Sequence, residues 1–196
     1  MNNLRTGDLL LFKGRGVFSR LITALPGSDY SHVGMYVSLL NDYVFESTSL
    51  GTLPDIMTGE PINGVQVTRF EDRVRSYDGE VFVRPVMGSR SQDQKNELRS
   101  FIHRHHGKPY EQSNWELASA ELDIMPWHKN KPDDSSLFCS ETVCMALRAM
   151  GLMPEGLAAN EFTPSDFSGD IELCEGYQWG DVSPLVVPDL NQQKRA

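Results

Sequence analysis

The sequence predicts an α+β domain, a small antiparallel sheet or half-barrel with a helix packed against it. Short apolar runs of strand length crowd the first half of the chain, at 9–12, 31–39, 43–48, 65–69 and 80–86. Helical spacing is confined to 17–25, 91–106 and 136–150. No internal repeat or low-complexity run interrupts this order. Strands grouped in this way, with helices before and after them, fit an α+β architecture. A chain of 196 residues suits one domain over 1–196. At that size a sizeable core needs no covalent staples.

The elements follow in order. Gly7-Asp8 leads into Leu9–Phe12, an unbroken apolar run that reads as a buried strand. Val17, Phe18, Leu21, Ile22 and Leu25 recur at helical spacing until Pro26-Gly27 ends the helix. Residues 31–39 and 43–48 read as strands around a turn at Asn41-Asp42, and Val65, Val67 and Arg69 alternate after Gly64. A further strand over 80–86 is closed by Pro85 and Gly88. Ser91 opens a helix with Gln94 as its capping-box partner, and Gly107 and Pro109 stop it. Residues 111–135 change character, with Trp115 and Trp127 among Asn, Pro, Lys and Asp, and read as an insertion or lid. The main helix starts near Ser136, carries the stripe Cys139, Val143, Leu147 and Met150, and ends at Gly151. From about 168 to 196 the chain reads as an irregular tail.

Composition narrows the function. Hydrophobic residues are 39% and charged residues 23%, the balance of a globular protein. A net charge of −9 argues against nucleic acid as a partner and against electrostatic docking on anionic lipid. Three cysteines are not a disulfide framework, which points to a reducing compartment or to a reactive thiol. MNNLRTGD has no apolar stretch of the signal-peptide kind, and no segment reaches the length of a membrane span. The expectation is therefore a cytoplasmic protein without integral membrane association, with delivery by another route left open. The sequence carries no signal of oligomeric state.

Chemistry concentrates on three residues. Cys139 falls in the first turn of its helix if Ser135 or Ser136 is the cap, where unpaired amides and the macrodipole favour thiolate and can receive an oxyanion. The plain alternative is a small core residue, the reading given to mid-helix Cys144. His32 shares a strand face with Gly34 and Tyr36, and Gly34 leaves room for another group to come close. A strand histidine can equally be a hydrogen-bonded structural residue. Glu46 lies on the next strand with Val44 and Thr48 on its face, either orienting His32 or sitting solvated at a strand edge. A hairpin centred near residue 39 sets His32 opposite Glu46, whereas a turn at Asn41-Asp42 offsets them, and an even-length loop there puts them on different faces. His103, His105 and His106 suggest a metal, but HRHHG closes a helix, where histidine suits the dipole. Gly14 and Gly16 in KGRG lack the spacing of a phosphate loop.

GDLLLF (7–12), SHVGMYV (31–37), VFEST (44–48) and FCSETV (138–143), in that order, resemble the circularly permuted NlpC-like branch of the papain-like fold, the YiiX/YebB-type group in particular. Ordinary NlpC-type peptidases carry the cysteine segment first. The resemblance implies a papain-like half-barrel in which Cys139 is the nucleophile, His32 the base and Glu46 the third polar residue. Ordinary members often have His at that third position, and FCSET does not follow the NCEHF-like setting of the permuted acyltransferases. The implied activity is a thiol hydrolase or transferase acting on an amide or ester. The substrate class is a small peptide, amide or lipid ester, and no cofactor or metal is required. The alternatives are a lipid-directed acyl hydrolase or acyltransferase and a non-catalytic binding module that kept the fold.

Overall fold

The computed structural model describes residues 4–14, 29–49, 51–110, 138–156 and 158–186. The predicted helix at 17–25 and the segment 111–135, with Trp115 and Trp127, lie outside them. Six strands form one antiparallel sheet: β1 (Leu9–Gly14), β2 (His32–Ser38), β3 (Asp42–Thr48), β4 (Gly64–Arg69), β5 (Gly79–Arg84) and β8 (Ser183–Pro184). Their order is β4-β3-β2-β1-β5-β8. The architecture is α+β, as the strand grouping predicts.

β1 is apolar without alternation because both of its faces are covered. Leu9 and Leu11 join Val33, Met35, Val37 and Phe45 in the larger core. Leu10 and Phe12 join Tyr36, Val44 and Val83 on the other face. The larger core is closed by α2 (Gln92–His105) and α3 (Cys139–Ala149), which also pack on each other. Ser91 and Gln94 form the expected capping box of α2.

A seven-residue helix, α1 (Phe70–Ser76), was not foreseen. Two turns are too short to show a period, and Val74 is its one buried residue. It packs against β3 and β4 on the smaller-core side, with Phe70 and Tyr77 laid on that core.

Three further expectations change. The run 80–86 is cut at Pro85, which has no N–H to donate, and the chain continues as β6 (Val86–Met87) paired with β7 (Gln178–Trp179). The tail after 168 is therefore not wholly irregular: it supplies β7 and the edge strand β8. The N-cap of α3 is Phe138, without a side-chain cap bond; Ser135 and Ser136, the expected caps, lie outside the described residues. The helix is also buried nearly all round, at Cys139–Cys144, Ala146 and Leu147, and not along a single stripe. Burying Val143, Leu147 and Met150 contributes roughly 1.5–3 kcal/mol each before entropy is counted.

Candidate active site

His32 is the first residue of β2, its ring tilted against Phe12 at 5.2 Å between centroids. β2 pairs with β3 only from Met35↔Phe45 to Ser38↔Asp42, so the two strands part at the His32 end. α3 packs against both strands. The N–H of Val33, an odd-numbered residue like those that bond β3, is turned instead to the Cys139 sulfur, as is the N–H of Ser140. A thiol on the larger-core side thus meets a histidine whose strand neighbours Gly34 and Tyr36 face the smaller core.

The hairpin is centred at residue 40. Gly34 therefore stands opposite Glu46, and His32 reaches the carboxylate diagonally, two residues along. Neither sequence expectation was complete: the pair is offset, yet on one face. Gly34 makes the diagonal possible, because a Cβ there would lie 3.0 Å from Val44 Cγ1 and 3.4 Å from Glu46 Cβ. His32 Nε2 and Glu46 Oε2 are 2.6 Å apart. With Nε2 held by Glu46, the nitrogen left for Cys139 is Nδ1.

Glu46 is fully buried, not a solvated strand-edge residue. Its Oε1 accepts from Arg73 Nε at 2.6 Å and from Gln66 Nε2 at 3.1 Å. The Arg73 guanidinium lies 4.5 Å from the centre of the Phe12 ring and 5.4 Å from that of Tyr77.

These contacts set the charges. Burial pushes the Glu46 carboxyl up, but Arg73 and His32 together hold it down at about 2. Burial pulls the His32 imidazole down, and the adjoining Cys139 and Glu46 more than reverse this, to about 9. Burial raises the Cys139 thiol, yet His32 and the Val33 and Ser140 amides bring it below its ordinary value. Cys144, five residues on, is raised to about 11 by burial and rests 3.9 Å from Met153 Sδ. The Tyr110 hydroxyl is held protonated by burial and by the charge of Cys139.

A cleft opens beside Cys139, walled by Tyr110, Phe138, Ser140 and residues of 153–156, 160–166 and 168–172. Among the described residues, its carboxylates Glu155, Glu161, Asp166, Asp170 and Glu172 outnumber its one basic lining residue, Arg148. Ser165 ties this wall to the strand entrance, accepting from Tyr30 N at 3.0 Å and donating to Tyr30 O at 3.3 Å.

Two of the three histidines in HRHHG have structural partners. His105 is buried, stacked on Phe101, and donates from Nδ1 to Phe101 O at 2.9 Å. His106 Nε2 is 2.9 Å from the buried Asp55 Oδ1. Sequence reasoning missed Arg73, Gln66, Tyr110 and the Asp55–His106 pair. Each is brought to its partner by pairing or packing between elements, and no local motif marks it.

Fold and site together define a class: an antiparallel α+β protein that presents a helix-start cysteine to a strand histidine backed by a buried carboxylate. No protein-family model and no curated protein matches the chain. Among solved structures it is similar to the metalloprotein YiiX of Escherichia coli O157:H7, with 28% identity and a TM-score of 0.52. The match covers 74% of this chain and 64% of that one. The chain is YiiX-like in sequence and fold, which bears out the resemblance to the permuted NlpC-like group.

Proposed function

We propose that this protein is a papain-like cysteine hydrolase or transferase that cleaves an amide or ester through Cys139, His32 and Glu46. One observation carries the reading: a buried row in which Glu46 holds His32 Nε2 at 2.6 Å while the other face of the ring meets Cys139. The Cys139 thiolate attacks the carbonyl carbon, and the oxygen takes the negative charge beside the first amides of α3. His32 gives its proton to the departing amine or alcohol, which leaves a thioester on Cys139. Neutral His32 then takes a proton from water, or from an acceptor alcohol or amine, as that molecule attacks the thioester. The acyl group leaves and the thiolate–imidazolium pair is restored. Glu46 keeps the imidazole oriented and balances its charge. The packed helix matters here, because a nucleophile displaced by about 1 Å can lose some hundredfold in rate.

YiiX is described as a metalloprotein. Among the described residues here, no group of three or more His, Cys, Asp or Glu side chains could hold an ion. At the candidate site a guanidinium already occupies Glu46 Oε1, the wrong neighbour for a divalent cation. The residues present do not fit a metal at this position.

A binding module that kept the fold is the second reading, favoured by the 5% exposure of Cys139. Wild type and Cys139→Ala exposed to peptide, ester and phospholipid libraries separate the two. The expected result is an acyl-enzyme mass on Cys139 in wild type, with no turnover in the variant. Full activity in Cys139→Ala would falsify the nucleophile assignment. A Cys139 that iodoacetamide labels only after unfolding favours the binding module.

A further inference from the structure

Glu46 poses a charge problem that His32 does not solve. A carboxylate withdrawn from water costs several kcal/mol even after relaxation, unless opposite charge is held against it. His32 supplies one positive charge, but in the working state that charge is shared with the Cys139 thiolate. Thiolate, imidazolium and carboxylate together leave one uncompensated negative charge in a buried row. Such a row relieves itself by taking up a proton: on Cys139 this ends the thiolate, and on Glu46 it takes away the negative charge that steadies the imidazolium.

Arg73 is placed to prevent this. Its Nε donates to Glu46 Oε1 at 2.6 Å, opposite the oxygen that holds His32. Its side chain is 13% exposed and its guanidinium is stacked over Phe12. An arginine does not lose its proton in a protein, whereas Cys139, His32 and Glu46 all can. Arg73 is thus the fixed charge in a row of four that alternates in sign and sums to zero. Gln66 turns its amide in the same sense, donating Nε2 to Glu46 and leaving its own Oε1 without a partner among the described residues. Among the described residues, the Tyr110 hydroxyl also faces the row, beside Cys139, and the Tyr77 ring lies beside the Arg73 guanidinium, its hydroxyl 3.4 Å from Ser31 Oγ.

We propose that Arg73, on the short helix α1, is a positioning residue of the site: it keeps Glu46 ionised and pinned at Oε1, so that Oε2 serves His32 and the thiolate survives in the buried row. This rests on the cysteine-hydrolase reading above. Removing the positive charge favours the protonated form of every titratable group in the row, Cys139 among them, and so moves the thiolate inflection upward.

The test is the pH dependence of iodoacetamide labelling at Cys139, read by peptide mass from pH 4 to 9, in wild type, Arg73→Met and Arg73→Lys. Met keeps the aliphatic packing and loses the charge; Lys keeps the charge. An upward displacement of at least about one unit is expected for Arg73→Met, so labelling below both inflections falls about tenfold or more. Arg73→Lys is expected to fall by less than about threefold. Should Arg73→Met unfold, Arg73→Gln decides, since it keeps a donor for Oε1 and loses the charge; it is expected to behave as Met does. A folded Arg73→Met or Arg73→Gln whose profile superimposes on wild type overturns the proposal. So does an Arg73→Lys as impaired as Arg73→Met. The failure of the parent reading looks different: wild-type Cys139 itself then titrates as a free thiol near pKa 8.5.

Discussion

His32 with Glu46 and His106 with Asp55 are the same chemical pair, an imidazole against a fully buried carboxylate, at 2.6 and 2.9 Å. They differ in what stands on either side. Behind Glu46 are two side chains, Arg73 and Gln66, and beyond His32 is a thiol. Asp55 takes its other bonds from the chain itself, from the amides of Met57, Thr58 and Val67 and the hydroxyl of Thr58. His106 is the residue that ends α2, its own N–H donating to Ile102 O. One pair therefore fixes a loop to a helix end, and the other links a side-chain counterion, through carboxylate and imidazole, to a thiol. A buried histidine–carboxylate pair says little until the group on the far nitrogen and the source of the carboxylate's remaining bonds are known.

Exchanging the perturbation between the pairs breaks the comparison most sharply. Glu46→Gln is expected to lower turnover by roughly 10²–10⁴-fold while the fold persists. Asp55→Ala strands its donors and His106, and should cost about 3–5 kcal/mol of stability without moving the Cys139 labelling profile. Thermal unfolding and labelling measured on both variants check this. An Asp55 variant that shifts the labelling inflection, or a Glu46 variant that only unfolds, would erase the distinction.

pH gives a smaller effect with a defined sign. Glu46 is depressed from 4.5 to about 2, so its contribution to stability is present above 4.5 and is lost as pH falls from there through about 2. Asp55 is also lowered and adds to the same acid-side loss. His32 is raised from 6.5 to about 9, so its contribution is complete below 6.5 and is lost as pH rises through about 9. Turnover is expected to fall above about 9, where the imidazolium gives up its proton. Cys144, raised to about 11, should stay unlabelled at neutral pH while Cys139 reacts. Labelling with site assignment by mass measures this contrast within one molecule; equal rates at the two cysteines would count against an activated thiol.

Gly34→Ala sharpens the comparison with the least disturbance. The new Cβ meets Val44 Cγ1 at 3.0 Å and presses on Glu46 Cβ. The expected stability loss is about 1–3 kcal/mol, with turnover falling more than the Asp55–His106 region's stability can account for. Native-state hydrogen exchange at Met57 and Val67, set beside the turnover, tests whether the damage stays at the first pair.

Much of the site was legible in residue order. Alternation put Val33, Met35 and Val37 on one face and His32, Gly34 and Tyr36 on the other, and both faces found their own core. The capping box at Ser91 and Gln94 is local chemistry and stands as read. The cap of α3 was not readable, because Phe138 starts the helix by backbone conformation alone. α1 carried no signal, since seven residues with one buried side chain have no period to detect.

What the sequence determined by itself is which side chains share a face and which cysteine opens a helix. Both follow from the two-residue and 3.6-residue periods of the backbone, and these need no partner. Which histidine meets which carboxylate was decided only by tertiary structure. The hairpin centre at residue 40, the parting of β2 from β3 and the seating of α1 behind Glu46 depend on long-range packing. A shift of one residue in pairing would have sent Glu46 to the other face. The register that keeps it beside His32 is held by the summed burial of two cores, a quantity no short motif contains.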